Sequence, residues 1–205
     1  MISLVRAGVV AALFAVAPLL LSQSASAAEK AFRNSELADS AVKLEGQIKS
    51  DAGTPTKPLP QIRHDADAAF SKNDFRAGMA LLGQIVAAAP NDSATWLRLA
   101  RTVMQIRPAD DDEKRLLLER ASTAAYIAYQ RTSSRSEEAD SLAFLGNVLA
   151  QRELWRPSLD SLRLALELRE AADVRGQYER LREAHGFRVL DYSVDADTAS
   201  PRACF

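Results

Sequence analysis

An all-α fold, a stack of helical hairpins (an α-solenoid) with a short C-terminal β segment, is what this sequence predicts. Three observations carry the expectation. From Gln61 to Ala184 the apolar residues recur almost throughout at three- and four-residue spacing, the period of a helix. Similar helix starts return along the chain: Ile62 and Trp96 lie 34 residues apart, Trp96 and Leu142 lie 46 apart. After Gly186 the pattern changes. Phe187 and Val189, and less regularly Tyr192 and Val194, bring aromatic and β-branched residues toward period two.

Residues 1–28 read as a secretory signal peptide. Arg6 supplies the positive start, and Ala7 to Leu21 is apolar except for Gly8 and Pro18. Ala25-Ser26-Ala27 fits a small-residue cleavage site, with the cut after Ala27 or Ala28. The apolar run is shorter than the ~20 residues a membrane span needs. With no lipobox cysteine and no later apolar stretch, neither a lipid anchor nor a span is expected once the signal is cleaved. A periplasmic or secreted location follows.

Residues 29–51 hold a short helix, with Leu37, Ala41, Leu44 and Ile48 on one stripe and Asn34 or Ser35 as its cap. Residues 52–60 carry three prolines and read as a linker. The helical domain then spans 61–186. Its first helix, about 61–71, carries Ile62, Ala66, Ala69 and Phe70. Lys72-Asn73-Asp74 is the turn, and the returning helix carries Gly78, Leu82 and Ile85 before Pro90 stops it. Asn91-Asp92-Ser93 caps the next helix, which places Trp96, Leu99, Ala100 and Val103 on one face. The extra length in the second unit falls at Arg107 to Asp112 and in the long helix that follows, about 112–130. Ser134-Arg135-Ser136-Glu137 is a capping box ahead of Leu142, Leu145, Gly146 and Leu149. Trp155 opens the return, with Ser158, Leu162 and Ala165. Val174, Tyr178 and Leu181 form a last stripe, suited to a terminal capping helix, and Gly186 stands at the C′ position. Residues 187–205 begin a β domain that is cut short. Ala203-Cys204-Phe205 reads as the interior of an element, so a longer polypeptide is expected.

These helical units resemble the tetratricopeptide repeat, a helix hairpin of 34 residues. Leu99-Ala100 and Leu145-Gly146 match its first-helix pair, Phe75 and Trp155 its turn aromatic, and Pro90 its closing proline. The resemblance covers about 60–170. Unit two departs from the pattern by its added length, and unit three has Glu170 where the proline falls.

Little in the sequence speaks for catalysis. His64 and His185 are the only histidines and stand far apart in the chain. Asp110-Asp111-Asp112-Glu113 lacks the alternating ligands and turn glycine of an EF-hand loop; carboxylates there suit a helix N-terminus. No Gly-rich phosphate loop or Gly-x-Ser-x-Gly elbow occurs. Trp96, Trp155 and Phe70 sit at core spacing and read as packing. With 26 basic and 27 acidic residues the net charge is −1, which disfavours a nucleic-acid partner. Cys204, the lone cysteine, is either a free thiol or the half of a bridge to a cysteine elsewhere. No catalytic, metal or cofactor residues are assigned.

The candidate binding surface is a groove. In stacked hairpins the first helices line a concave face. Beside the core stripe there stand Arg63 and Asp67 in unit one, Arg98, Arg101 and Gln105 in unit two, and Phe144, Asn147 and Gln151 in unit three. Arginine forks with amide side chains suit carboxylates and peptides. The face is read either as a groove for a protein or peptide segment, including downstream parts of the same polypeptide, or as an ordinary solvated surface.

The order of signal, short helix, repeat stack and strand segment, ending Ser200-Pro-Arg-Ala-Cys-Phe205, resembles the amino-terminal region of bacterial alpha-2-macroglobulin-like proteins. That resemblance implies an accessory interaction module leading an exported protease inhibitor. The family's Cys-x-Glu-Gln thioester motif and its bait region are absent from these residues, and Cys204 takes no thioester role. The alternative expectation is a stand-alone periplasmic repeat adaptor in envelope assembly. Neither reading is an enzyme.

Overall fold

The computed structural model describes residues 30–53 and 57–186, with the short segments 193–195 and 202–204. The expectations for residues 1–28, and for most of 187–205, lie outside the described residues. Among those described, eight helices account for nearly all of the regular structure, so the protein is all-α in class.

Helices α2 (Leu59–Ser71) and α3 (Phe75–Ala88) form one antiparallel hairpin, α4 (Ser93–Val103) and α5 (Asp111–Arg131) a second, and α6 (Arg135–Gln151) and α7 (Trp155–Leu168) a third. Successive hairpins meet through α3 on α4 and α5 on α6, and α8 (Ala172–His185) packs on α7. The helices of the first and third hairpins each bury one face. Ile62 and Ala66 face Leu82, Ile85 and Val86; Leu142, Leu145 and Leu149 face Leu162 and Ala165.

Capping explains where most helices start. Asp74, Asp92, Asp110 and Ser134 each accept a hydrogen bond from the backbone N–H three residues on. The acidic run does lie on a helix N-terminus: Asp110 takes the Glu113 N–H at 2.7 Å, and Glu113 takes the Ala109 N–H at 2.6 Å. Only half of the expected capping box forms at Ser134. Its hydroxyl accepts from the Glu137 N–H, while the Glu137 carboxylate accepts from the Ser93 hydroxyl at 3.3 Å on another helix.

The first and third hairpins turn the same way. Asn73 (φ 57°) and Glu153 (φ 60°) both adopt the left-handed conformation. One residue later, the Asp74 N–H reaches the Ala69 carbonyl (3.0 Å) and the Leu154 N–H reaches Leu149 (2.9 Å). Close approach fixes two glycines. A Cβ at Gly78 would lie 2.1 Å from the Phe70 ring, and one at Gly146 would lie 2.7 Å from Leu162 Cγ.

Several expectations need correction. Helix α2 begins at Leu59, not 61, because Pro58 is its N-cap and Pro60 falls in the first turn, where a missing N–H costs nothing. The proline segment joins two packed helices. Helix α1 (Ser35–Ala52) is no appendage: it lies against α3 and α5 and places Leu37, Leu44 and Ile48 in the common core. Its leading segment is held as firmly. Phe32 is buried edge-on to Tyr126 and Tyr129, and its N–H donates to the Tyr129 hydroxyl at 2.8 Å. Lys30 donates to the Thr132 carbonyl and hydroxyl (3.1 and 2.7 Å) and to Glu138 (2.9 Å). Covered by α1, helix α5 is buried on every side from Ala121 to Tyr129.

Of the three aromatics read as core, Trp96 alone is fully buried, with its indole N–H on the Pro90 carbonyl (2.9 Å). Phe70 is half-buried against Gly78, and half-buried Trp155 stacks flat on His185 with ring centroids 3.7 Å apart. Gly186 is extended (φ −71°), not left-handed; its N–H simply continues the helix bond to Arg182. Near the C-terminus, β1 (Ser193–Asp195) and β2 (Arg202–Cys204) pair antiparallel, with Val194 opposite Ala203.

Candidate functional site

The residues expected to line a groove sit on the first helices of the hairpins: Arg63 and Asp67 on α2, Arg98 and Arg101 on α4, and Phe144, Asn147 and Gln151 on α6. Gln105 falls beyond α4, in the turn that follows it. All are exposed except Phe144, which is half-buried. Core leucines and alanines on the same helices turn the other way, so helical periodicity presents this polar row to solvent.

The structure brings these side chains together in pairs. Arg63 donates to Asp92 (2.7 Å) and to the Thr95 hydroxyl (3.3 Å), tying α2 to the N-terminus of α4. Arg98 donates to Asp67 (2.5 Å) and lies over the Phe70 ring at 4.5 Å. The Arg101 guanidinium stands 5.9 Å from the centre of the Phe144 ring, linking α4 to α6. Gln151 donates to Asn147 (3.0 Å) within α6.

Asp92 does double duty. It caps α4 through the Thr95 N–H (3.0 Å) and accepts the Thr95 hydroxyl (2.7 Å) and Arg63. Burial pushes its carboxyl up, but the bonds from Arg63 and Thr95 outweigh that and hold it below the ordinary value. Asp92, Thr95 and Phe70 contribute to this face without being among its expected residues. Asp92 was legible only as a cap, and Phe70 only as a core aromatic.

The pairs differ in how firmly they hold. Arg98 and Asp67 are 47% and 62% exposed, so water screens their attraction and the pair is worth ~0–1 kcal/mol. The arrangement therefore suits reversible contact with polar, acidic or extended chain. It offers no nucleophile with a base beside it. Among the described residues no three His, Cys, Asp or Glu side chains are placed to hold a metal ion, and no helix is long and apolar enough to cross a membrane.

No protein-family model matches the chain, and a search of the curated proteins finds no match. Fold and site together define a class, a helical, repeat-like all-α protein with a polar face along α2, α4 and α6.

Proposed function

We propose that this chain is an exported protein–protein interaction module of tetratricopeptide-like hairpins, forming the N-terminal part of a periplasmic alpha-2-macroglobulin-like protease inhibitor. Its α2–α4–α6 face holds an extended peptide segment, with Arg98 and Arg101 as the cationic anchors. One observation carries this reading above all. Unlike Arg63, which Asp92 and Thr95 hold, Arg98 and Arg101 are engaged only by an exposed ion pair to Asp67 and by contacts with the half-buried rings of Phe70 and Phe144, so their guanidinium donors stay open to a peptide carboxylate or carbonyl. The repeat assignment draws support from the shared left-handed turn at Asn73 and Glu153 and from the close contacts at Gly78 and Gly146. The inhibitor assignment draws support from the order of segments in the sequence.

A photo-crosslinking residue at exposed Asn147, in the exporting cell, tests the groove. A discrete crosslinked product that disappears in Arg98→Glu/Arg101→Glu supports it. A product that persists in that variant, or none at all, refutes it. Immunoblotting of the native gene product separates the wider readings. A band far above 22.3 kDa supports the inhibitor, and one slightly below supports a stand-alone adaptor.

A further inference from the structure

A groove of about 440 Å³ runs between α1 and α5, with Met79 of α3 at its base. It shares no helix with the α2–α4–α6 face. Leu44, Met79, Leu116 and Leu117 give it an apolar wall, and Leu116 is 60% exposed although nothing polar about the helix requires a leucine there. Its volume falls in the ~300–1,000 Å³ range of small-ligand sites. Arg120 reaches into the same space. Among the described residues its Nε–H is buried without a hydrogen-bond acceptor. A buried donor left unmatched is uncommon in a folded protein and calls for a partner. Lys43 adds a second cation on the α1 side.

Two carboxylates line the groove as well. Glu113 is already occupied by Arg76 (2.7 Å) and by the Ala109 N–H. Glu119 is exposed at the rim. Asp51, near the end of α1, acts on Arg120 through charge without a direct bond, and burial lowers the Arg120 pKa more than Asp51 raises it. Among the described residues the Arg120 guanidinium makes no hydrogen bond, so its outer N–H groups keep their capacity in a groove whose two basic and two acidic side chains balance.

We infer that the α1–α5 groove is a binding site for an apolar ligand bearing a terminal carboxylate, with Arg120 receiving the carboxylate and the leucines and Met79 receiving the stem. A guanidinium matches a carboxylate with two parallel N–H bonds, which a neutral alcohol or amide cannot reproduce. The chemistry has two sources, a free aliphatic acid and the C-terminus of an apolar peptide.

Calorimetric titration of the full chain distinguishes them. One arm uses octanoate against octanol. The other uses acetyl-Ala-Leu-Leu as the free acid against its amide. The acid binds at least about tenfold tighter than its neutral partner in one arm, and that arm names the source. Arg120→Met loses about tenfold or more of that affinity, and Leu116→Glu, a change confined to the exposed rim, weakens it through repulsion. Because Arg120→Met removes an unmatched donor, the variant melts no lower than the parent. The inference is overturned if neither acid binds, or if binding ignores the carboxylate or both substitutions. It is equally overturned if Arg120→Met and Asp51→Asn each lower the melting point while no acid binds, which makes Arg120 a plain partner of α1.

Discussion

Replacing Gly146 by alanine should destabilise the protein, and replacing Gly46 by alanine should do the opposite. Both glycines lie inside helices, so each substitution gains about 1 kcal/mol of helix propensity. The surroundings decide the sign. Around Gly46 nothing lies within 4 Å of the added Cβ. At Gly146 that Cβ meets Leu162 Cγ at 2.7 Å, Leu162 Cδ2 at 2.9 Å and the Ser158 carbonyl oxygen at 3.2 Å. The leucine is fully buried, and the carbonyl is main chain, so neither yields easily. The Ser158 hydroxyl also donates to the Gly146 carbonyl at 2.6 Å, which holds α6 and α7 at this separation. Overpacking of this kind costs about 1–3 kcal/mol. Subtracting the propensity gain leaves a net loss of up to about 2 kcal/mol for Gly146→Ala, the tight main-chain contact placing it toward the upper end, and a gain of up to about 1 for Gly46→Ala. Thermal melts read these as a fall of several degrees and a smaller rise. Combining Gly146→Ala with Leu162→Val should recover part of the loss, so that the double variant is less than additive. A Gly146→Ala protein as stable as the parent would sink the close-packed account of this hairpin.

Three further outcomes are expected. Tyr129→Phe leaves the buried Phe32 N–H without its acceptor and should cost about 1–3 kcal/mol in urea unfolding, with faster hydrogen exchange at that amide. Arg131 donates to Glu45 (2.6 Å), the Pro90 carbonyl (2.7 Å) and Asn91 (2.8 Å); Arg131→Ala should lower stability by a similar amount, and Arg131→Lys should recover little because it lacks the fork. Acid should loosen the α2–α4 junction through Asp92. Its folded pKa lies below the ordinary 3.8, so its contribution is complete above that value and fades as pH falls through the folded one; Asp92→Asn should flatten that part of a pH–stability curve.

Most hairpin helices were readable because they bury one face and expose the other, which is what three- and four-residue spacing reports. Helix α5 was readable in extent but not in position. Between Ala121 and Tyr129 it has no charged residue, because α1 covers the side that an outer helix would show to water. An uncharged nine-residue stretch within a helix was the signal for that, and it is a better guide to burial than the stripe. The docking of α1 was hidden by the prolines that follow it, which break a helix equally well whether the pieces pack together or part. Seven of the eight polar-face residues fall on the first helices of the hairpins, where periodicity puts them, while Gln105 falls in the turn after α4. Their mutual pairing was not legible: Asp67 and Arg98 are 31 residues apart and Arg63 and Asp92 are 29, and no local pattern links them.

The seat of Phe32 has a consequence for the order in which the molecule is made. Its hydrogen-bonding partner Tyr129 lies 97 residues downstream, and Lys30 is 102 residues from Thr132. At about 5–20 residues per second, the earliest part of the folded structure waits on the order of 5–20 s for the ribosome to deliver its partners. Until then α1, whose helicity depends on packing, has only α3 of its two neighbours to lie against. A hydrophobic surface made early is thus covered in full only about a hundred residues later. Moving 30–52 to the far end of the gene by circular permutation would invert that order while keeping the contacts, and would give the newborn chain less time as a client for chaperones.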